Sequence, residues 1–358
     1  MMGRAAGAKP RNRRGCTEEV LANHTTVALT RRDLLLGAMI TGAALVSGCS
    51  GNAESNSSAG SHAGDGGAGT VNVGTMVTED FLPGWAAERD GLFGTDAQVN
   101  IITFQSAQEL AAAMTSGDID LAMTDPQVSA VLTAGGTPVH LAWITLGATP
   151  DQGRFGIQVG PDSKIASVEQ LAGASIGVGS NTVPEYVMDM LLEDAGIGAN
   201  DFKKEEVKKM PVRFQMMVSG KTDAAALPAS LLALGEAQGC RTIVDDTQGK
   251  NLSQSVMAIR EEFAQGNGGA AAINAVQQGW NAAAQAINED PESYRALLVE
   301  KANLADPLKK SYPIPTYPVD AKPTSEMIQP QLDWMLEKGY LKQALTFDEE
   351  TGTFKDGK

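Results

Sequence analysis

The sequence predicts an α/β protein of two lobes, each a mostly parallel sheet flanked by helices. Three observations carry that expectation. Strand-like and helix-like segments alternate from residue 71 onward, the pattern of parallel sheets covered on both faces. Aromatic residues are scarce at 5% while Gly numbers 39, a composition that suits close-packed layers. The third is a stretch that occurs twice. Met114-Thr115-Ser116-Gly117-Asp118-Ile119-Asp120-Leu121-Ala122 and Met217-Val218-Ser219-Gly220-Lys221-Thr222-Asp223-Ala224-Ala225 both read Met-x-Ser-Gly-x-x-Asp-x-Ala. In each, an apolar helix ends at Ser, and Gly supplies the left-handed residue that closes it. A polar turn with Asp then enters a buried strand. Two copies imply two similar lobes, and facing lobes enclose a ligand cleft.

Taken in order, the chain opens with an address. Arg31 and Arg32 precede a Gly- and Ala-rich apolar run, 34–46, too short and too weakly hydrophobic for a permanent membrane span. Adjacent arginines behind a basic stretch resemble a twin-arginine export signal, with Leu36 where a Lys is usual. An ordinary secretory signal with incidental arginines is the alternative. Leu45-Val46-Ser47-Gly48-Cys49 resembles a lipobox, which implies cleavage before Cys49 and lipid attachment to it. Residues 1–48 are thus the export signal, and 49–70, rich in Ser and Gly, a flexible lipid-anchored linker. Such a linker spans roughly 25 Å root-mean-square.

In the body, 71–76 alternates as a first strand, and Pro83 opens a short helix to about Asp90. A second strand, 98–104, leads to Ser106, which caps a helix over 107–115 with Glu109 at the third helical position. After the strand 121–123, Asp125 stands as N-cap and Pro126 at the first position of a helix ending at Gly135. Strands follow at 139–145 and 155–159, and 147–153 between them reads as a passage from one lobe to the next. The second lobe then has a short helix 167–171, strand 175–179, helix 183–195 and a strand near 206–210. A strand 224–227, helix 231–238 and strand 241–244 complete it. Strand 253–259 leads back to the first lobe, closed by Ala-rich helices 270–286 and 292–301, an extended 313–318 and a helix 324–341. Lobe one is then 71–150 with 260–345, lobe two 151–259, and 346–358 a C-terminal tail.

The formal charge is −15, and residues 1–48 carry seven Lys/Arg against three Asp/Glu, which leaves −19 on the remainder. A body that acidic is repelled by phosphate backbones, which excludes nucleic acid as a partner. Cys16, Cys49 and Cys240, with His24, His62 and His140, show no zinc spacing and no disulfide framework.

An exported lipoprotein with this order of elements resembles the substrate-binding proteins of ABC importers, within them the nitrate/sulfonate/taurine/thiamine-precursor binding group. The likeness is carried by Gly91-Leu92-Phe93, Gln108-Glu109-Leu110 and on to Asp120, and Leu171-Ala172-Gly173 through Gly179. Thr182-Val183-Pro184-Glu185-Tyr186, Pro211-Val212-Arg213, residues 223–228 and Asp333-Trp334-Met335-Leu336-Glu337-Lys338-Gly339 complete it, over about residues 71–343. The resemblance implies a type II periplasmic-binding-protein-like fold, two α/β lobes joined by two crossover strands and closing on ligand. It also implies a monomer that delivers a small solute to an ABC permease and its ATPase, lipid-anchored on the outer face of the cell membrane or in the periplasm. No catalytic residue, metal or cofactor belongs to that reading. In one departure, Leu227-Pro228 is followed by Ala229-Ser230, where many relatives carry an acidic residue.

Ligands of open α/β sheets sit beyond the carboxyl ends of the strands, where helix N-termini favour an anion. The candidate ligand-binding residues there are Thr78, Glu79, Phe81, Gln105, Ser106, Thr124, Asp125, Ser180, Asn181, Thr182, Tyr186, Leu227 and Ser230. Each has a plainer role available. Ser106 and Asp125 are also helix caps, and Tyr186 is either cleft wall or core. Arg213 could pair with a ligand acid, but its first reading is a brace for the lobe surface. Trp85 and Trp143 default to burial, and Met216 and Met217 to core. The solute would be sulfonate-, nitrate- or carboxylate-like, or a thiamine-pyrimidine-like molecule. Two alternatives stand beside capture for import: an enzyme on the same fold (dehydratase or thiamine-pyrimidine synthase-like), and a ligand-sensing surface lipoprotein. The synthase needs His and Cys clusters, and the body outside the tether has only His140.

Overall fold

Two sheets organise the described residues, 69–95 and 97–357, of this computed structural model. The chain begins β1 (Gly69–Met76), α1 (Leu82–Arg89), β2 (Ala97–Phe104), α2 (Ala107–Ser116), β3 (Leu121–Thr124), α3 (Pro126–Ala134) and β4 (Val139–Leu146). It crosses into β5 (Phe155–Val159), β6 (Ser175–Val178), α4 (Val183–Asp194), β7 (Lys203–Glu206), α5 (Met210–Val218), β8 (Ala224–Pro228), α6 (Ala229–Ala237) and β9 (Arg241–Asp245). It returns as β10 (Ser255–Arg260), α7 (Glu261–Ala264), α8 (Gly269–Glu289), α9 (Arg295–Lys301), α10 (Ser325–Glu337), β11 (Leu345–Asp348) and β12 (Thr353–Asp356).

The first sheet has seven strands in the order β11-β12-β4-β10-β3-β1-β2, and the second five in the order β7-β6-β8-β5-β9. Each holds a parallel block, β3-β1-β2 and β7-β6-β8. β10 and β5 run antiparallel to both of their neighbours. These are the strands the chain forms on arriving from the other sheet. A chain that leaves one sheet at the carboxyl ends of its parallel strands and enters the other at the same end must run against the block it joins.

The two crossings touch. Asn251 Nδ2 donates to the carbonyls of Gly147 at 3.0 Å and Ala148 at 3.1 Å. Gly147 has φ +86°, and a Cβ there would lie 1.9 Å from the Ser253 carbonyl oxygen, so only glycine lets the segments pass.

Both copies of the repeated motif take one shape. Gly117 (φ +82°) closes α2 and Gly220 (φ +68°) follows α5. Asp120 Oδ2 then accepts the Asn72 N–H at 2.9 Å, and Asp223 Oδ2 the Ser175 N–H at 2.8 Å. Each Asp ties its turn to the parallel strand alongside, β1 in one sheet and β6 in the other.

The faces of the first sheet bury separate cores. One gathers Phe81, Leu82, Trp85, Trp143, Trp280 and Tyr317 beneath α1 and α8. The other gathers Leu110, Met114, Ile144, Leu332 and Met335 beneath α2, α3 and α10, and takes in Val183, Tyr186 and Val187 of α4. The second sheet packs Ile157, Ile176, Val178, Met188 and Leu192. Each such side chain contributes about 1.5–3 kcal/mol on burial.

Three segments differ from expectation. The strand expected near 206–210 is β7, Lys203–Glu206, an exposed edge of Lys and Glu with no apolar alternation to betray it. Pro211 instead sits in the first turn of α5, where its missing N–H costs nothing. The helix expected over 292–301 starts as a tight 3₁₀ turn, Pro291–Tyr294, before α9. Residues 346–358, read as a tail, contribute most of the hairpin β11–β12, whose Thr353 pairs with His140 of β4 and whose Phe347 and Phe354 rings lie 5.7 Å apart in the core. Arg31, Arg32 and Cys49, read as export signal and lipid anchor, lie outside the described residues. Among the described residues, no helix is long and apolar enough to cross a membrane.

Candidate functional site

Between the sheets lies a cleft of about 1030 Å³, open solvent at its mouth included. Met76, Met123, Leu146, Phe155 and Met210 give it apolar surface, and the starts of α2, α3 and α4 reach it through Ser106, Asp125 and Thr182. Of the candidate residues, Thr78, Glu79, Gln105, Ser106, Asp125 and Thr182 line it together. Ser180 and Asn181 line a separate groove with α2 and α3. Phe81 lies in the aromatic core, edge-on to Trp85 and Trp280. Tyr186 is buried edge-on to Trp334. Thr124 and Leu227 are buried in their strands, and half-buried Ser230 is not on the lining. Strand-end residues alternate faces, so a window of neighbours cannot all point into one cleft. Trp85 and Trp143, considered as aromatic walls, are core residues.

The first-lobe wall is acidic. Glu79 is 3% exposed, and its Oε1 accepts the Tyr312 hydroxyl at 2.6 Å. Its carbonyl accepts the Tyr317 hydroxyl at 2.7 Å. Burial, then the Glu79 carboxylate, holds both phenols well above their ordinary pKa, so they remain donors. Asp80 accepts the Ser255 hydroxyl. Burial, reinforced by the charges of Glu79 and Asp125, pushes its carboxyl up to about 7.

Ser106 caps α2 as expected, accepting the Glu109 N–H at 3.3 Å. Asp125 occupies the cap position of α3, but its side chain does not cap that helix. Its Oδ2 instead accepts the Val183 N–H of α4 at 3.2 Å, from one lobe to the other. Pro126 at the first helical position has no N–H, so one fewer donor needs satisfying there. Burial pushes the Asp125 carboxyl up to about 6.

The second-lobe wall is cationic, and its main residue corrects the sequence reading. Arg213 is not a surface brace; it is 1% exposed and lines the cleft. Gly177 and Gly179 make room for it, since a Cβ on either would lie 3.2 Å from its Cγ and 2.6 Å from its Nη2. Nε donates to the Val207 carbonyl at 3.0 Å and Nη1 to the Ala226 carbonyl at 2.9 Å. Those neutral acceptors orient the guanidinium, and burial lowers its pKa to about 10 against the opposing charges of Glu206 and Glu185, neither of which is paired with it. The Pro211-Val212-Arg213 stretch carried no sign of this, because the space comes from another strand. Lys208 stands beside it on the lining. Arg154 also lines the cleft, but is already paired with Asp245 and Glu236, each at 2.8 Å.

Two acidic, buried turns of α4 hold it to the first lobe. Asp189 accepts the Trp334 indole N–H at 3.0 Å and pairs with Lys338 at 2.8 Å, while the Tyr340 hydroxyl donates to Glu185 at 2.9 Å.

A two-lobed body with a charged cleft at its crossings can hold a small polar solute and leave it unchanged. Residues 93–336 match the family described as ABC transporter, phosphonate, periplasmic substrate-binding protein. The chain belongs to that family. Structures similar to this family member include the periplasmic aliphatic sulphonate-binding protein SsuA of Escherichia coli. It is 19% identical with a TM-score of 0.67, over 81% of this chain and 93% of that one. The alkanesulfonate-binding protein SsuA of Xanthomonas axonopodis pv. citri, bound to MOPS, is 16% identical with a TM-score of 0.64, over 76% and 94%. The periplasmic nitrate-binding protein NrtA of Synechocystis is 15% identical with a TM-score of 0.53, over 74% and 70%. No curated protein matches by sequence. At these identities the shared property is the fold.

Proposed function

We propose that this chain captures a small solute bearing an acid group in the inter-lobe cleft and delivers it to an ABC permease and its ATPase without chemical change. One observation carries the reading: Arg213, nearly fully buried, turns a guanidinium without a carboxylate partner onto the lining of the cleft. A buried guanidinium whose remaining N–H groups lack an acceptor favours a ligand oxyanion strongly. Ser106, at a helix start on the opposite lobe, and Thr182 supply further polar contacts. His140, paired with Glu261, and Cys240, in an apolar cluster, both lie off the lining, which supports capture over turnover. Cys49 as lipid anchor and the linker after it would hold a monomer near its permease.

Gently purified protein, denatured and analysed by mass spectrometry, should release a solute with a sulfonate, phosphonate or carboxylate group. Arg213→Gln should weaken its binding about tenfold or more. A released metal ion, a solute without an acid group, or turnover of the solute overturns the proposal.

A further inference from the structure

The turn between α7 and α8 holds Asn267-Gly268, the one Asn-Gly step in the sequence. Both residues are exposed, and both lie off the lining of the cleft. The turn is fixed on either side of them. Gly266 N–H donates to the Phe263 carbonyl at 3.0 Å, Gly269 N–H to the Gly266 carbonyl at 3.1 Å, and Ala272 N–H to the Gly268 carbonyl at 3.0 Å. Gly269 is pressed against α7, since a Cβ there would lie 2.0 Å from the Phe263 carbonyl oxygen. Between these anchors, among the described residues, neither the Gly268 N–H nor the Asn267 amide has a hydrogen-bond partner. Gly268 stands at φ +80° with no Cβ to screen its nitrogen. An unheld backbone nitrogen is thus set beside an unheld, solvated side-chain amide.

We propose that Asn267 is a self-modification site, losing its side-chain amide to attack by the Gly268 backbone nitrogen. The nitrogen gives its proton to water or hydroxide and bonds to Asn267 Cγ. The Cγ–Nδ2 bond breaks, and Nδ2 takes up a proton and leaves as ammonia. Water then opens the cyclic succinimide at either carbonyl, leaving aspartate or isoaspartate at 267. One water is consumed and one ammonia released, with no change of oxidation state. The aspartate product suits its place. α8 starts with no acidic residue in its first turn and no side-chain cap, so the new carboxylate meets the positive end of a long helix.

α8 supplies its own controls. Asn274, Asn281 and Asn288 precede Ala275, Ala282 and Glu289 inside it, where the following N–H is held in the helical ladder. Attack at those sites requires the helix to open first.

The test is incubation of the purified folded protein in mildly alkaline buffer at physiological temperature, beside the same protein in urea. The tryptic peptide Glu261–Arg295 carries all four asparagines, so fragment spectra compare them directly. In the folded protein Asn267 should gain about one mass unit at least about tenfold faster than the other three. Its folded rate should stay within about threefold of its rate in urea, because the turn offers no protection. Isoaspartate should accompany aspartate, since only a ring opened at either carbonyl gives both. Conversion at Asn267 in urea but not in the folded protein overturns the proposal, and so does conversion of the α8 asparagines at an equal rate. Aspartate without isoaspartate overturns the attack by Gly268.

Discussion

Replacing Asp80 by Asn should stabilise the solute-free protein, and the gain should depend on pH. The Asp80 carboxyl rises from its ordinary 3.8 to about 7 in the folded state. A carboxyl whose pKa is raised on folding binds more protons folded than unfolded between those two values. Stability then falls as pH rises through that window and levels off above it. The shift of about 3 units corresponds to about 4 kcal/mol. Asp80 is half-buried and faces the open cleft, so water screening reduces this to about 2 kcal/mol. Asn keeps an oxygen to accept the Ser255 hydroxyl and cannot ionise. Its advantage should be near zero below about pH 4 and reach about 2 kcal/mol at about pH 8. Asp125 and Asp246, both raised to about 6 by burial, titrate in parent and variant alike and drop out of the difference to first order. Urea unfolding of both proteins at the two pH values measures it. A variant no more stable than its parent at pH 8, or equally favoured at both pH values, would refute the account of the acidic wall.

The cleft and the crossing make further claims. Gly179→Ala adds a Cβ 2.6 Å from Arg213 Nη2 at an ordinary backbone angle. It should cost about tenfold in affinity for the bound acid, by calorimetry, while changing stability by less than about 1 kcal/mol. Gly147→Ala meets the Ser253 carbonyl at 1.9 Å with φ at +86°, so unfolding in urea should show a loss of at least about 2 kcal/mol. For the export reading, changing Arg31 and Arg32 together to Lys should stop delivery to the membrane fraction; unchanged delivery would indicate the general secretory route.

Much of this architecture was legible because local chemistry and tertiary role coincided. Ser106 with Glu109 announced a helix start that the structure contains, and the paired Ser-Gly turns announced two equivalent pieces of scaffold. The legible part ended where a residue's role depends on a strand far away in sequence. Arg213 looked like surface because nothing near it says that Gly177 and Gly179 open a slot for its side chain. Asp125 looked like a cap because the Val183 N–H that claims it belongs to the other lobe. β7 escaped because an edge strand of Lys and Glu, solvated on both faces, has no period to read.

The interleaved first sheet also sets an order in time. The five strands of the second sheet come from one continuous stretch, Phe155–Asp245, and can pair once that stretch has left the ribosome. The seven-stranded sheet receives β10 between β3 and β4, and its far edge from β11 and β12 at the end of the chain. It cannot be completed before β12 has been made. Contacts spanning so much sequence form slowly. The two apolar faces that α8 and α10 cover stay open to chaperones until those helices are made. The docking of the β11–β12 hairpin on β4, rather than any event in the cleft, closes that sheet.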